Sequence, residues 1–148
     1  MTDTCPIETL RTILVATDGS LHSEKALHEA INLAKSCGSK LYVMSVVEVN
    51  PEYEALAPQI VEKADEETKV FLDAAQKCAE REQVSCNSIV HRGEDPAHFI
   101  IEEAERLKAD MIVMGKHGRN LMLRKLFVGS VTAKVISHAH CKVLVVPN

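Results

Sequence analysis

Along the chain, short apolar runs alternate with longer stretches in which apolar residues return every third or fourth position. Thr12 to Thr17 (Thr-Ile-Leu-Val-Ala-Thr) is a run of the kind a strand buried on both faces requires. After Asp18-Gly19-Ser20 the period changes: Leu27, Ala30, Ile31 and Ala34 share one helical face. Gly38 follows, where a helix end favours a residue free to take positive φ. Leu41 to Val47 is a second strand run. A loop containing Pro51 and Pro58 is expected next, then a long amphipathic helix presenting Ile60, Ala64, Phe71, Leu72, Ala75 and Ala79. Its charges, Glu62, Lys63, Glu66, Glu67 and Lys69 among them, form the solvated face.

The third strand, Val84 to His91, alternates imperfectly: Val84, Cys86, Ser88 and Val90 fall on one face and Ile89 on the other. In Arg92-Gly-Glu-Asp-Pro96, Asp95 is placed as an N-cap and Pro96 at the first helical position. Ala97, Ile100, Ile101, Ala104 and Leu107 then give one apolar stripe. Met111 to Met114 is a fourth strand, Ser130 to Ala139 a helix, and Cys141 to Val146 a last strand stopped by Pro147. Without a linker or repeat, residues 1–148 read as one domain. The alternation predicts an α/β fold, a parallel sheet with helices on both faces joined by right-handed crossovers. In such sheets ligands bind beyond the carboxyl ends of the strands. Gly19, Gly93, Gly115, Gly118 and Gly129 fall on that edge, whereas Gly38 is explained by capping.

Composition narrows the function classes. A formal net charge of −4 argues against a protein that tracks nucleic acid. No apolar run approaches the roughly eighteen residues of a membrane span. Met1 to Leu10 carries Asp3 and Glu8 without a hydrophobic stretch, unlike a secretory signal. Five scattered cysteines, Cys5, Cys37, Cys78, Cys86 and Cys141, read as reduced thiols of a cytoplasmic protein.

The densest chemistry lies in Gly115-Lys-His-Gly118 and in Gly129-Ser-Val-Thr132. Glycines let a backbone approach a ligand closely. A helix opening at Gly129-Ser130 presents amide donors and positive dipole to a phosphate, with Ser130 and Thr132 adding hydroxyls. Lys116, His117, Arg119, Arg124 and Lys125 make the stretch locally basic. The bland alternative is a turn, a helix cap and a solvated loop. His138, His140 and Cys141 look like metal ligands, but histidines at a helix end suit its dipole and no zinc-type spacing completes the set. Leu121, Met122, Leu123, Leu126 and Phe127 are expected to form a short packed helix within the loop.

Taken together, these motifs resemble the universal stress protein family, in its nucleotide-binding branch. Ile13-Leu-Val-Ala-Thr-Asp18-Gly-Ser20 is similar to the family's first strand and its aspartate. Gly115, Gly118, Gly129 and Ser130 resemble its G-x-x-G loop and following G-S/T, and Lys142-Val-Leu-Val-Val-Pro147 its ending. The spacer between Gly118 and Gly129 is ten residues, one longer than the family pattern. The resemblance implies strand order 3-2-1-4-5 in a five-stranded sheet and a homodimer through the last strand. It also implies ATP or AMP as ligand, with or without Mg2+. By position, Ala16 and Asp18 would meet the nucleoside, with Asp18 accepting from ribose hydroxyls. The Val46 backbone would address adenine, and Met114 would pack beside the nucleotide. Gly115, Gly118, Arg119, Gly129, Ser130, Val131 and Thr132 would hold phosphates.

The function so implied is regulatory: an adenine-nucleotide switch of the stress response rather than an enzyme. Two alternatives stay open, a stress-response scaffold that binds no nucleotide and a slow ATP-hydrolysing enzyme. Against a dedicated catalyst, the chain lacks the Walker sequence G-x-x-x-x-G-K-S/T. It also lacks a Ser-Gly-Gly-x-Asp-Ser loop after its first strand.

Overall fold

A computed structural model describes residues 10–116 and 129–147. Within them, five parallel strands alternate with helices: β1 (Thr12–Ala16), α1 (Leu21–Cys37), β2 (Lys40–Glu48), α2 (Pro51–Leu56), α3 (Pro58–Arg81), β3 (Cys86–Gly93), α4 (Pro96–Leu107), β4 (Met111–Gly115), α5 (Ser130–His138) and β5 (Lys142–Val146). The sheet order is β3-β2-β1-β4-β5, as the resemblance implies. Each neighbouring pair is parallel, in registers such as Ile13 with Leu41 and Val113 with Leu144.

Side-chain alternation along the strands divides the core in two. Ile13, Val15, Leu41 and Val43 face α1 and α3, meeting Ala30, Ile31, Leu72 and Ala75. Leu14, Met44, Ile112 and Met114 face the opposite layer, meeting Ala97 and Ile100 of α4 and Val135 of α5. The central strands are therefore apolar at successive positions because both faces are covered. Among the described residues, no helix is long and apolar enough to cross a membrane. Cys37, Cys78, Cys86 and Cys141 are free thiols, and Cys5 lies outside the described residues.

Local punctuation works as its chemistry dictates. Gly38 sits at φ +69° and closes α1, and its N–H donates to the Ala34 carbonyl. Asp95 caps α4 by accepting from the His98 amide at 3.4 Å, with Pro96 in the first turn. Three expectations need correction. The segment expected as loop contains α2, because Asn50 accepts from the Tyr53 amide at 2.7 Å and Pro51 pre-sets the first turn. Ile60 is exposed, and its neighbour Val61 enters the core instead. On β3, burial ends at Cys86, while Ser88 and Val90 are exposed, because β3 is an edge strand that the helices cover only in part. The short helix expected around Leu121 to Phe127 lies outside the described residues.

Candidate functional site

At the carboxyl edge of the sheet, β1 stops at Ala16 and its neighbours run on. The β1–β2 ladder ends with the Thr17 amide donating to the Met44 carbonyl at 2.9 Å. Lys40 bonds toward β1, whereas Leu41 and Val49 bond toward the β3 side. Even-numbered residues of β2 thus turn their backbone groups toward β1. The N–H and C=O of Val46 accordingly face the space past the end of β1, where no strand among the described residues receives them. A cleft of about 660 Å³ opens there, within the range of small-molecule sites.

The turn leaving β1 forms the floor. Asp18 Oδ1 accepts from the Ser20 amide at 2.9 Å, an Asx-type turn. Ser20 in turn caps α1, accepting from the Ser23 amide at 3.2 Å. Gly19 holds φ +80°, and a Cβ there would meet the Phe71 ring at 2.6 Å. Phe71 of α3 therefore packs directly over the turn.

The opposite wall is the β4–α5 junction. Gly129 donates to the Lys116 carbonyl at 2.9 Å, and its own carbonyl accepts the first helical bond, from Ala133. Standing at the N-cap with φ −57° and ψ 152°, it brings no side chain to the amides that follow. Thr132 is buried, and its hydroxyl donates to the Gly115 carbonyl at 2.9 Å, pinning α5 to the end of β4. That proton is committed within the protein, so Thr132 offers a ligand its amide and its hydroxyl lone pairs.

Nine of the residues selected from the sequence surround this one cleft: Ala16, Asp18, Val46, Met114, Gly115, Gly129, Ser130, Val131 and Thr132. Gly118 and Arg119 lie outside the described residues. Sequence reasoning did not select Ser45, Thr68, Phe71 or the carboxylates Glu48 and Glu67, which also line the cleft. Ser45 has a visible signal, as the one small polar residue in the run Leu41 to Val47, beside Val46. Thr68 and Phe71 have only their helical spacing.

Other polar groups are explained by structure. Glu103 is buried on α4, where hydrogen bonds from Arg106 and His91 outweigh the upward push of burial and hold its carboxyl below the usual range. Burial raises the Cys86 thiol to about 11, which keeps it protonated. His138 Nδ1 meets the Lys134 carbonyl at 3.0 Å, and His140 lies 3.2 Å from Glu105. Among the described residues, no group of three or more His, Cys, Asp or Glu is arranged to hold a metal ion.

Comparison with known proteins agrees with this architecture. Residues 9–147 match the model of the universal stress protein family. A universal stress protein of Methanocaldococcus jannaschii is 40% identical over 138 residues, covering 90% of this chain and 80% of the relative. The structure of a universal stress protein from Lactobacillus plantarum superposes with a TM-score of 0.84 at 26% identity, covering 93% of this chain and 98% of that one. A universal stress protein solved in complex with cAMP superposes at 0.72 with 25% identity, covering 92% and 96%. The chain belongs to the universal stress protein family.

Proposed function

We propose that this chain binds an adenine nucleotide across the strand ends and acts as a nucleotide-dependent regulatory module. The observation that carries the reading is the polarity of the cleft. On the β2 side the Val46 backbone offers a donor and an acceptor, suited to the edge of a base. Over β1 the Asp18 carboxylate offers acceptors for ribose hydroxyls. On the β4 side Gly115 and the start of α5 offer close backbone and amide donors, suited to phosphate. Neighbouring strands are about 4.8 Å apart, so these stations span roughly one nucleotide. The relative in complex with cAMP supports the choice of an adenine ligand. Asp18, Glu48 and Glu67 bring oxygen donors of the kind Mg2+ takes alongside phosphates.

Binding rather than turnover is favoured by the chain's lack of the Walker loop and by the occupied hydroxyls of the first turn. Thr17 and Ser23 hydrogen-bond each other at 2.7 Å, and Ser20 caps α1. Calorimetric titration with ATP, ADP and AMP, with and without Mg2+, tests the reading on protein first stripped of carried-over ligand. Saturable binding of at least one nucleotide is expected. No heat with any of them leaves the nucleotide-free scaffold as the function.

A homodimer through β5 belongs to the same proposal. β5 is the sheet edge, and Val143 to Val146 are only half-buried in the single chain. An apolar edge of this kind invites pairing, and two copies related by a two-fold axis would pair both edges. Sedimentation at micromolar concentration should show a dimer; a monomer alone would remove this part.

A further inference from the structure

We infer that the Ser45 hydroxyl is a base-recognition group of this cleft, an inference that rests on the nucleotide reading above. Ser45 is 4% exposed, yet it lines the cleft. It sits on β2 immediately before Val46, one residue past the last rung shared with β1. By strand alternation its side chain projects to the layer of Leu41 and Val43, toward α3.

Four hydroxyls line this side of the cleft, and three are committed. Thr17 and Ser23 bond each other, and Ser23 also donates to the Ser20 carbonyl at 2.9 Å. Thr68 donates to the Ala64 carbonyl at 2.7 Å. Ser45 alone among them has no hydrogen-bond partner among the described residues. A buried hydroxyl without a partner is a standing cost to the fold. Packing gives no reason for it, since alanine would fill nearly the same volume without the polar atom. A ligand gives one. A hydroxyl can donate to a ring nitrogen or accept from an exocyclic amine, and adenine carries these two groups side by side. A base docked on the Val46 backbone would present that edge next to Ser45.

The test is Ser45→Ala, read in two ways. In ligand-free protein the variant should melt at the same temperature as the unmodified chain or higher, because it removes an unsatisfied group. In calorimetry its affinity for ATP and AMP should fall about five- to tenfold, the scale of one neutral hydrogen bond. Tripolyphosphate, which has no base, should bind both proteins alike. A lowered melting temperature without ligand would show the hydroxyl to be structural and overturn the inference. Equal ATP affinity in the two proteins would overturn it while leaving the nucleotide reading intact. Failure of the unmodified chain to bind any nucleotide would overturn both.

Discussion

Two strand-to-helix junctions border the cleft and solve the same problem in opposite ways. At β1–α1, the amides leaving the strand are met by the chain's own side chains: Asp18 accepts from Ser20, and Ser20 accepts from Ser23. At β4–α5, the N-cap is Gly129, which has no side chain to offer. The first four N–H groups of any helix lack a partner inside it; at α5 the Gly129 N–H finds one in the Lys116 carbonyl, and the glycine cap leaves those of Ser130, Val131 and Thr132 without a side-chain partner. The first junction is a frame closed by its own side chains, and the second, by the proposal above, is completed by a ligand. Glycine therefore means different things at the two places. Gly19 is there for its positive φ and the pressure of Phe71, whereas Gly129 has an ordinary φ and is there for the space above its amides.

The largest effect expected from this contrast is that of Gly129→Val on binding. With φ −57° and ψ 152°, the backbone accepts a valine without strain. The fold should lose at most about 1 kcal/mol from a poorer N-cap. The side chain would stand over the amides that the proposal gives to phosphate, and ATP affinity should fall by roughly a thousandfold, about 4 kcal/mol. Calorimetry checks the binding and thermal melting checks the fold. Retained affinity would show that α5 is not the phosphate end.

Gly19→Ala should do the reverse. An L-residue at φ +80° costs about 1–2 kcal/mol. A Cβ 2.6 Å from the Phe71 ring adds overpacking of about 1–3 kcal/mol. A loss of about 2–5 kcal/mol in denaturant unfolding is expected, and adding Phe71→Ala should not compound the two losses. If Gly19→Ala were harmless to stability, the first junction would not be the rigid frame described here.

Much of this was legible in the sequence because it is local. Gly38, Asp95 and Pro96 act within one turn of themselves, and the period of the apolar residues located every strand. Nine described site residues fell together because the edge rule for parallel sheets and the family's motifs point to the same loop ends. What could not be read is non-local. Phe71 looked like another member of a helical stripe, and only the packing of α3 over Gly19 brings it to the cleft. Ser45 looked like a polar interruption in a strand, and its significance depends on β1 ending one rung earlier. α2 was missed because two prolines in a short segment read as loop, although Asn50-Pro51 is also a helix start.

The finest test separates the two tasks proposed for Asp18, which belongs to the rigid junction yet lines the cleft. Its Oδ1 holds the turn through the Ser20 amide, and by the proposal the carboxylate also accepts from ribose hydroxyls. Asp18→Ala removes both functions. Binding should weaken by about 1.5–3 kcal/mol, the scale of hydrogen bonds to a charged group, and stability should fall by about 1 kcal/mol with the lost turn. Asp18→Asn removes only part. An asparagine oxygen makes the same turn to the amide two residues on, so the melting temperature should fall less than in Asp18→Ala. The charge is lost, however, and a neutral acceptor makes a bond about half as strong as an ionised one. ATP affinity should then drop about five- to tenfold, an effect of roughly 1 kcal/mol. Base-free tripolyphosphate, which also lacks the sugar, should lose no affinity, and bind slightly better for want of a nearby negative charge. If Asp18→Asn instead lowers stability as much as Asp18→Ala while leaving ATP affinity untouched, Asp18 serves the turn alone, and the ribose contact must come from another side chain of the cleft.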